Sequence, residues 1–217
     1  MASREGAEFR NYSPGPAAGN GSRTGMDQGN RPVVAAFALP PLELSPGVLV
    51  HSRENREAAV ETWLLLASPD AQKAQREWRR DGLTLLRCGG LFSAVRIPAA
   101  IIHAAAGTED PRELTDVLGD ALDGPVFYDR SGRQFYALTP HSTARLWRVP
   151  DTECLGSDFF LGVPATSVTE PDPRYRAWWV VPMDGPAVLC VPDAVVCFVQ
   201  RGRSLVAAAK DQETRNA

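Results

Sequence analysis

The segment 124–136, GPVFYDRSGRQFY, constrains the fold of this chain more than any other stretch. Two short apolar runs, residues 125–128 and 134–138, flank a polar turn at residues 129–133 that contains a glycine. Apolar runs of this length joined by such a turn are typical of a β-hairpin. The sequence therefore predicts a β-hairpin here, and the other elements are placed around it.

Capping residues and helix stops indicate where the other elements begin and end. Helices are predicted after Ser52, after the pair Ser68-Pro69, at residues 98–106, after Asp110 and at residues 141–147. Strands are predicted at residues 83–88, 91–97, 159–163 and 177–181, with a turn at Gly89-Gly90 between the first two. A final helix is predicted at residues 191–199, with Gly202 as its end.

The order of these elements predicts an α/β (α+β) domain, a mixed β-sheet with flanking helices, because hairpins lie beside strand-helix-strand crossovers. With 217 residues, 44% of them apolar, the chain has material for one such domain and its tails. Residues 1–31 contain almost no aliphatic side chains and the C-terminus is polar, so residues 1–31 and 207–217 are expected to be disordered. The domain is expected at residues 32–206. Eight side chains are expected to be buried in it: Trp63, Trp78, Leu86, Val95, Leu118, Val126, Phe160 and Val195.

The composition limits the classes of partner and the compartment. The 23 Lys and Arg residues against 26 Asp and Glu residues give a net charge of -3, so nucleic-acid binding would need a local basic patch. The four cysteines form no Cys-x-x-Cys pair, which favours buried free thiols in a reducing cytoplasm over a zinc site or a disulfide framework. No run approaches the roughly 20 apolar residues needed to span a bilayer, so a cytoplasmic protein without a membrane partner is expected.

No complete catalytic constellation is visible in the sequence. The three histidines lack ligand partners at metal spacing, and the phosphate-loop, dinucleotide-binding and hydrolase-elbow motifs do not occur. Acidic pairs occur at helix ends or in loops, where solvated surface is the ordinary explanation: Asp120 with Asp123, Asp151 with Glu153, and Glu170 with Asp172. Arg130 and Arg133 on the hairpin turn are a stronger candidate, because two guanidinium groups beside a glycine can hold a phosphate; ordinary surface charge is the alternative.

Three segments match the motifs of one family. Residues 91–98, LFSAVRIP, form an apolar strand of the kind that ends there in Asp-x-Asp, and residues 131–136, SGRQFY, match a Ser-Gly hairpin that leads to a histidine. Residues 153–179 match a region that runs from an acidic residue through a Gly-aromatic strand to Pro-Pro-Ser and a later Tyr-x-Trp. Across residues 60–203 the chain resembles the N-terminal primase-polymerase domain of bifunctional DNA primase/polymerases, in the archaeo-eukaryotic primase superfamily, and most of all short actinobacterial proteins that carry this domain.

The resemblance implies the fold of that family and argues against its reaction. Both acidic positions of the first motif are lost, to Arg96 and Pro98, and Phe135 stands in the place of the histidine. The family's chemistry requires carboxylates that bind two divalent ions, and an arginine in their place would repel those ions. We therefore expect a catalytically degenerate primase-polymerase-like domain, without catalytic residues, metal or cofactor, that acts as a nucleotide-binding, nucleic-acid-binding or regulatory module.

Five residues are the expected nucleotide- or phosphate-binding positions: Arg96, Arg130, Ser131, Arg133 and Ser167. The resemblance implies that Arg96, Ser131, Arg133 and Ser167 line the equivalent of the family's nucleotide cleft. Arg130 is added by the hairpin turn, whose two arginines are expected to converge with Arg96 on one concave face. The alternative is a structural or regulatory protein that binds a protein partner through its N-terminal tail and binds no nucleotide. An active enzyme of unrelated chemistry is a third hypothesis, for which the sequence offers no nucleophile-base pair.

Overall fold

The computed structural model describes residues 42–45, 48–50 and 52–216. The disorder predicted for residues 1–31 lies outside these described residues. The helices are α1 (Arg53–Leu65), α2 (Ala71–Asp81), α3 (Ala99–Ala106), α4 (Pro111–Leu122), α5 (Thr143–Leu146) and α6 (Pro192–Asn216). The strands are β1 (Leu42–Ser45), β2 (Val48–Val50), β3 (Leu83–Arg87), β4 (Phe92–Pro98), β5 (Val126–Asp129), β6 (Gln134–Pro140), β7 (Glu153–Leu155), β8 (Phe160–Pro164) and β9 (Ala177–Val181).

Helix caps lie close to where the sequence places them. Ser52 caps α1 and Asp110 caps α4, each through a side-chain oxygen that accepts a backbone N–H of the first turn. The second helix begins at Ala71, but its cap is Asp70 and not Ser68, because the Asp70 carboxylate accepts the Lys73 N–H at 2.9 Å.

Five strands form the central sheet in the order β7-β4-β6-β5-β9, and each neighbouring pair is antiparallel. The chain passes from β4 through α3 and α4 to β5, and from β6 through α5 to β7, so each crossover skips one strand in a split β-α-β arrangement. The predicted α/β class is confirmed, as is the hairpin of β5 and β6. The parallel neighbours that a mixed sheet implies are not found among the described strands, because another strand lies between the two that each crossover joins.

The strands β3 and β8 form a separate two-stranded antiparallel ribbon. The predicted turn after β3 is present, since the Gly89 N–H donates to the Phe92 carbonyl at 2.7 Å, but it leads out of the ribbon and into the central sheet. One face of the ribbon, with Leu86 and Val163, is fully buried. It packs with the apolar faces of α1 and α2 against the sheet. The ribbon and these two helices therefore form one outer layer of the domain.

The helices α3, α4 and α6 form the other outer layer and bury the opposite face of the central sheet. The last helix passes close to α3 at Gly202, where a Cβ would lie 2.1 Å from the Ile101 carbonyl oxygen. The sequence-based assignment of Gly202 as the end of the helix is wrong. The glycine is buried within the helix and permits the close approach of the two backbones.

The helix α6 continues through the segment for which disorder is predicted. Residues 207–216 are helical, and all of their side chains are exposed. The packed part of α6 supplies the nucleus, and an alanine run at residues 207–209 followed by lysine, glutamine and glutamate has high helix propensity. The helix therefore extends past the residues that contribute to the core.

The predicted core residues are buried with two exceptions. Trp63 is only partly buried, and Phe160 is 53% exposed, so its assignment to the core is wrong. The other six are at most 6% exposed: Trp78, Leu86, Val95, Leu118, Val126 and Val195. Phe160 lies on the face of the ribbon that points away from the core, opposite Arg87 in the strand register.

Candidate functional site

Polar side chains cross one end of the central sheet in a row, on the face that the ribbon also covers. The row consists of Glu153 on β7, Arg96 on β4, Tyr136 on β6, Asp129 on β5 and Arg176 just before β9. All five line one cleft of about 310 Å³. We call this set the cross-sheet row, and the cleft is the candidate functional site.

The strand register explains why these side chains share a face. Arg96 lies directly opposite both Tyr136 and Glu153, and Phe127, two residues before Asp129, lies opposite Tyr136. Side chains alternate between the two faces of a strand. The neighbours of Arg96 and Tyr136 in their strands accordingly point to the other face and are at most 2% exposed: Val95, Ile97, Phe135 and Ala137.

Two ion pairs neutralise the row. Arg96 Nη2 lies 2.7 Å from Glu153 Oε2, with the two side chains 47% and 44% exposed. Arg176 Nη2 lies 2.6 Å from Asp129 Oδ2, and here the aspartate side chain is only 13% exposed. Asp129 Oδ1 also accepts the Ser131 N–H at 2.9 Å. Asp129 is therefore mostly buried and held by two donors, whereas Glu153 is about half-exposed.

Tyr136 occupies the middle of the row. Its ring stacks on Phe127 with 4.9 Å between ring centroids and 15° between ring planes, which fixes its orientation. Burial raises the pKa of the Tyr136 hydroxyl, and the Asp129 carboxylate adds to this, while Arg96 and Arg176 act in the opposite direction. The phenol is therefore neutral near pH 7 and can donate one hydrogen bond into the cleft.

An apolar wall lines the same cleft as the cross-sheet row. It is formed by the outer face of the ribbon and the residue before β8, with Leu85 58%, Phe160 53% and Phe159 45% exposed. Gly162 lies opposite Leu85 in the ribbon register and carries no side chain that could cover the wall. Exposed apolar side chains that line a cleft together, rather than singly over the surface, indicate a binding surface. The cleft thus combines two guanidinium groups and a phenol on one side with apolar side chains on the other.

The structure separates the residues that the sequence nominates. Of these, only Arg96 is among the described residues that line the cleft. Ser167 lines a different cavity of about 400 Å³, together with three glutamates of α1, and this acidic lining does not suit a phosphate. The expected grouping of the five positions in one cleft is therefore not found.

The two arginines of the hairpin turn form hydrogen bonds with the protein's own backbone. The Arg130 side chain donates to the Pro173 carbonyl at 3.2 Å and to the Tyr175 carbonyl at 3.4 Å. Arg133 is exposed, in the left-handed region with φ 52°, and its carbonyl accepts the Ala99 N–H at 3.0 Å. Neither arginine lines the cleft that contains Arg96, so the expected convergence on one concave face is wrong. The guanidinium of Arg130 is already engaged by the loop that precedes β9.

Four residues of the row were not identified as a set from the sequence. The hairpin register brings Asp129 and Tyr136 to one face, and this alternation could have been read from the two apolar runs. Arg176 lies just before β9, and Glu153 lies in β7, a strand of three residues. No local sequence pattern indicates which side chains either residue contacts. Asp151 and Glu153, one of the three acidic pairs considered from the sequence, make separate contacts: Asp151 pairs with Arg203 of α6 at 2.9 Å and Glu153 with Arg96.

Within residues 52–216, no group of three or more His, Cys, Asp or Glu side chains is placed to hold a metal ion. None of the described helices is both long and apolar enough to cross a membrane. No protein-family model matches the chain, and no curated protein or solved structure matches it.

Proposed function

We propose that this domain binds a nucleotide in the cleft lined by the cross-sheet row and acts as a regulatory module that does not synthesise primers. The observation that carries the proposal is the placement of Arg96 and Arg176 in one cleft, on either side of Tyr136 in the row and together with an apolar wall. Guanidinium groups bind phosphate oxygens through paired hydrogen bonds, and aromatic side chains stack on bases. The two sides of the cleft thus match the two chemical parts of a nucleotide.

The size and charge of the cleft favour a single nucleotide over a nucleic-acid strand. A volume of about 310 Å³ is near the lower end of the range for small-molecule sites, roughly 300–1,000 Å³. The ribbon, α1 and α2 cover the rest of this sheet face, so the open part is limited to one end. The row contains two positive and two negative side chains, and this neutral balance provides little long-range attraction for a polyanion.

The resemblance to the primase-polymerase family supports the same proposal. The position of the family's first metal-binding carboxylate is Arg96, which lies on the cleft face and is paired with Glu153 at 2.7 Å. The position matched to its histidine is Phe135, which is 2% exposed and lies on the opposite face of the sheet, so this part of the resemblance lends no support to the cleft. The carboxylates of the row are both neutralised by arginines, so we propose a degenerate copy of the site that keeps ligand binding and has lost the reaction.

Nucleotide binding is tested by titration calorimetry with AMP and ATP at low salt, using the parent protein and Arg96→Ala. Loss of a charged hydrogen-bond partner is expected to weaken binding roughly tenfold or more. Arg112→Ala is the matched control, because Arg112 is exposed on α4 at the opposite face of the sheet. Equal affinity in the Arg96 and Arg112 variants, or no measurable binding by the parent, would contradict the proposal. Robust incorporation of labelled nucleotides in a primer-extension assay with divalent metal would contradict the proposal that the domain does not synthesise primers.

Protein binding without a nucleotide is the second candidate function. The observation that favours it is the cluster of exposed Leu85, Phe159 and Phe160, because exposed apolar clusters commonly mark protein interfaces. A partner at the N-terminal tail, as predicted from the sequence, would lie outside the described residues. Capture of a defined partner that is lost with Phe160→Ser, combined with no nucleotide-induced rise in the melting temperature, supports this candidate over the first.

A further inference from the structure

We infer that Glu153 determines which anions the cleft accepts, so that dianionic phosphate monoesters bind and monoanions such as phosphodiesters are rejected. The inference rests on the proposed function, because it concerns the ligand of the same cleft. It identifies the ligand class as a nucleotide with a terminal phosphate. Glu153 acts in it as a specificity-determining residue that competes with the ligand for Arg96.

The contact between Glu153 and Arg96 is the basis of this competition. The guanidinium of Arg96 is already bonded to a carboxylate at 2.7 Å, and both side chains are about half-exposed. An incoming anion can therefore reach the pair from solvent without displacement of the backbone. A monoanion would replace one singly charged partner of Arg96 with another and leave Glu153 without its counter-ion, so the exchange gains little.

The second ion pair behaves differently, and this asymmetry favours a dianion. Asp129 is 13% exposed and held by both Arg176 and the Ser131 N–H, so it stays in place when a ligand binds. Arg176 is 56% exposed, lines the cleft and has further N–H donors besides the one that Asp129 accepts. A phosphate monoester over Tyr136 carries a second charge that Arg176 can share after Glu153 has left Arg96. The additional charge offsets the loss of the internal ion pair.

The test compares AMP with 3′,5′-cyclic AMP, which has the same base and sugar but a single negative charge. Titrations at pH 8 and low salt keep AMP dianionic, since the second phosphate pKa is about 6. The parent protein is expected to bind AMP roughly tenfold more tightly than cyclic AMP. Glu153→Gln is expected to bind cyclic AMP several-fold more tightly than the parent does, and its preference for AMP over cyclic AMP is expected to be smaller. Glu213→Gln, the same charge change on an exposed turn of α6, is expected to match the parent.

Each result bears on the inference. Equal affinity of the parent for the two ligands, or an unchanged ratio in Glu153→Gln, overturns the role of Glu153 and leaves nucleotide binding in place. Weaker binding of both ligands by Glu153→Gln also overturns it, because Glu153 would then position Arg96 for the ligand. Glu153→Ala serves as a second variant in which no polar group remains to hold Arg96. Absence of binding to either nucleotide in all proteins overturns the inference together with the proposed function.

Discussion

The two faces of the central sheet are built from the same strands but differ in what covers them. Phe135 and Tyr136 are adjacent in β6, yet Phe135 is buried against the layer of α3, α4 and α6, whereas Tyr136 lines an open cleft. On the first face the three helices bury a large apolar cluster. On the second face the ribbon and two helices leave one end of the sheet uncovered, and the polar residues lie there.

This difference separates the residues that stabilise the domain from those available for binding. A side chain on the covered face contributes through the area that it removes from water and the cavity that its loss would leave. A half-exposed ion pair such as Arg96–Glu153 contributes only about 0–1 kcal/mol to stability. Substitutions in the cross-sheet row should therefore change binding without unfolding the protein. Substitutions on the covered face, which lies under α3, α4 and α6, should lower the stability of the domain without acting directly on binding.

The largest expected effect comes from truncating one phenylalanine on the covered face. Phe135→Ala should lower the free energy of unfolding by about 3–5 kcal/mol, because the side chain is 2% exposed and its removal leaves a cavity. Phe160→Ala makes the same chemical change on the outer face of the ribbon, at a position 53% exposed. It should change stability by about 0.5 kcal/mol or less, as surface substitutions do. Urea denaturation followed by circular dichroism measures both, and similar losses would show that the outer face of the ribbon is covered.

The two phenylalanines also show how far the sequence determines the fold. The hairpin and most helix boundaries follow from local signals, since a turn glycine, a capping side chain and an apolar run act over a few residues. Phe160 lies in an equally apolar run, and its exposure depends on which face of the ribbon packs against α1 and α2. The register of β3 with β8 joins residues about eighty positions apart, and no local pattern specifies it.

The candidate site was predictable only in part, because local patterns do not specify how strands distant in sequence pair with one another. Arg96 was nominated through the resemblance alone, as the residue at the first acidic position of the matched strand, and the structure places it in the cleft. The other residues of the row come from β7, β6, β5 and the position before β9. They lie side by side only because the crossover connections place these strands next to one another in the sheet. Arg130 and Arg133 were nominated by proximity in sequence, but the turn that carries them lies past the ends of β5 and β6, and neither side chain lines the cleft. Tertiary pairing, not residue type, decides which arginine lines the cleft.

The second prediction uses two helical glycines. Gly202→Ala should destabilise the domain by about 1–3 kcal/mol, because the new Cβ would lie 2.1 Å from the Ile101 carbonyl and would force α3 and α6 apart. Gly119→Ala, in α4, meets no atom within 4 Å and should stabilise the domain by about 0.4–1 kcal/mol through the unfolded state. Opposite signs in urea denaturation support the close packing of α3 and α6. A stabilising effect of both substitutions would mean that the two helices are farther apart.

The last prediction concerns a thiol on the covered face. Burial raises the pKa of the Cys190 thiol to about 12, because the thiolate is disfavoured away from water. Its side chain is 0% exposed and donates to the Pro125 carbonyl at 3.4 Å, whereas Cys197 on α6 is exposed.

The pKa of Cys190 is higher in the folded state than the ordinary value of 9.0 in an unfolded chain, so the folded state retains this proton more strongly. The stability linked to Cys190 is therefore complete below about pH 9 and falls as the pH rises toward about 12, with a slope of up to about 1.4 kcal/mol per pH unit. Cys190→Ala should lose this part of the slope between pH 9 and pH 10.5, whatever it costs in stability at neutral pH. Cys88 and Cys154, with pKa values raised to about 12 and about 11, titrate in the same direction and remain in both proteins, so the comparison isolates Cys190. Cys197→Ala under reducing conditions should retain the slope of the parent. If Cys190→Ala and Cys197→Ala have equal slopes, water reaches the covered face and the contrast between the two faces of the sheet is weaker than their packing indicates.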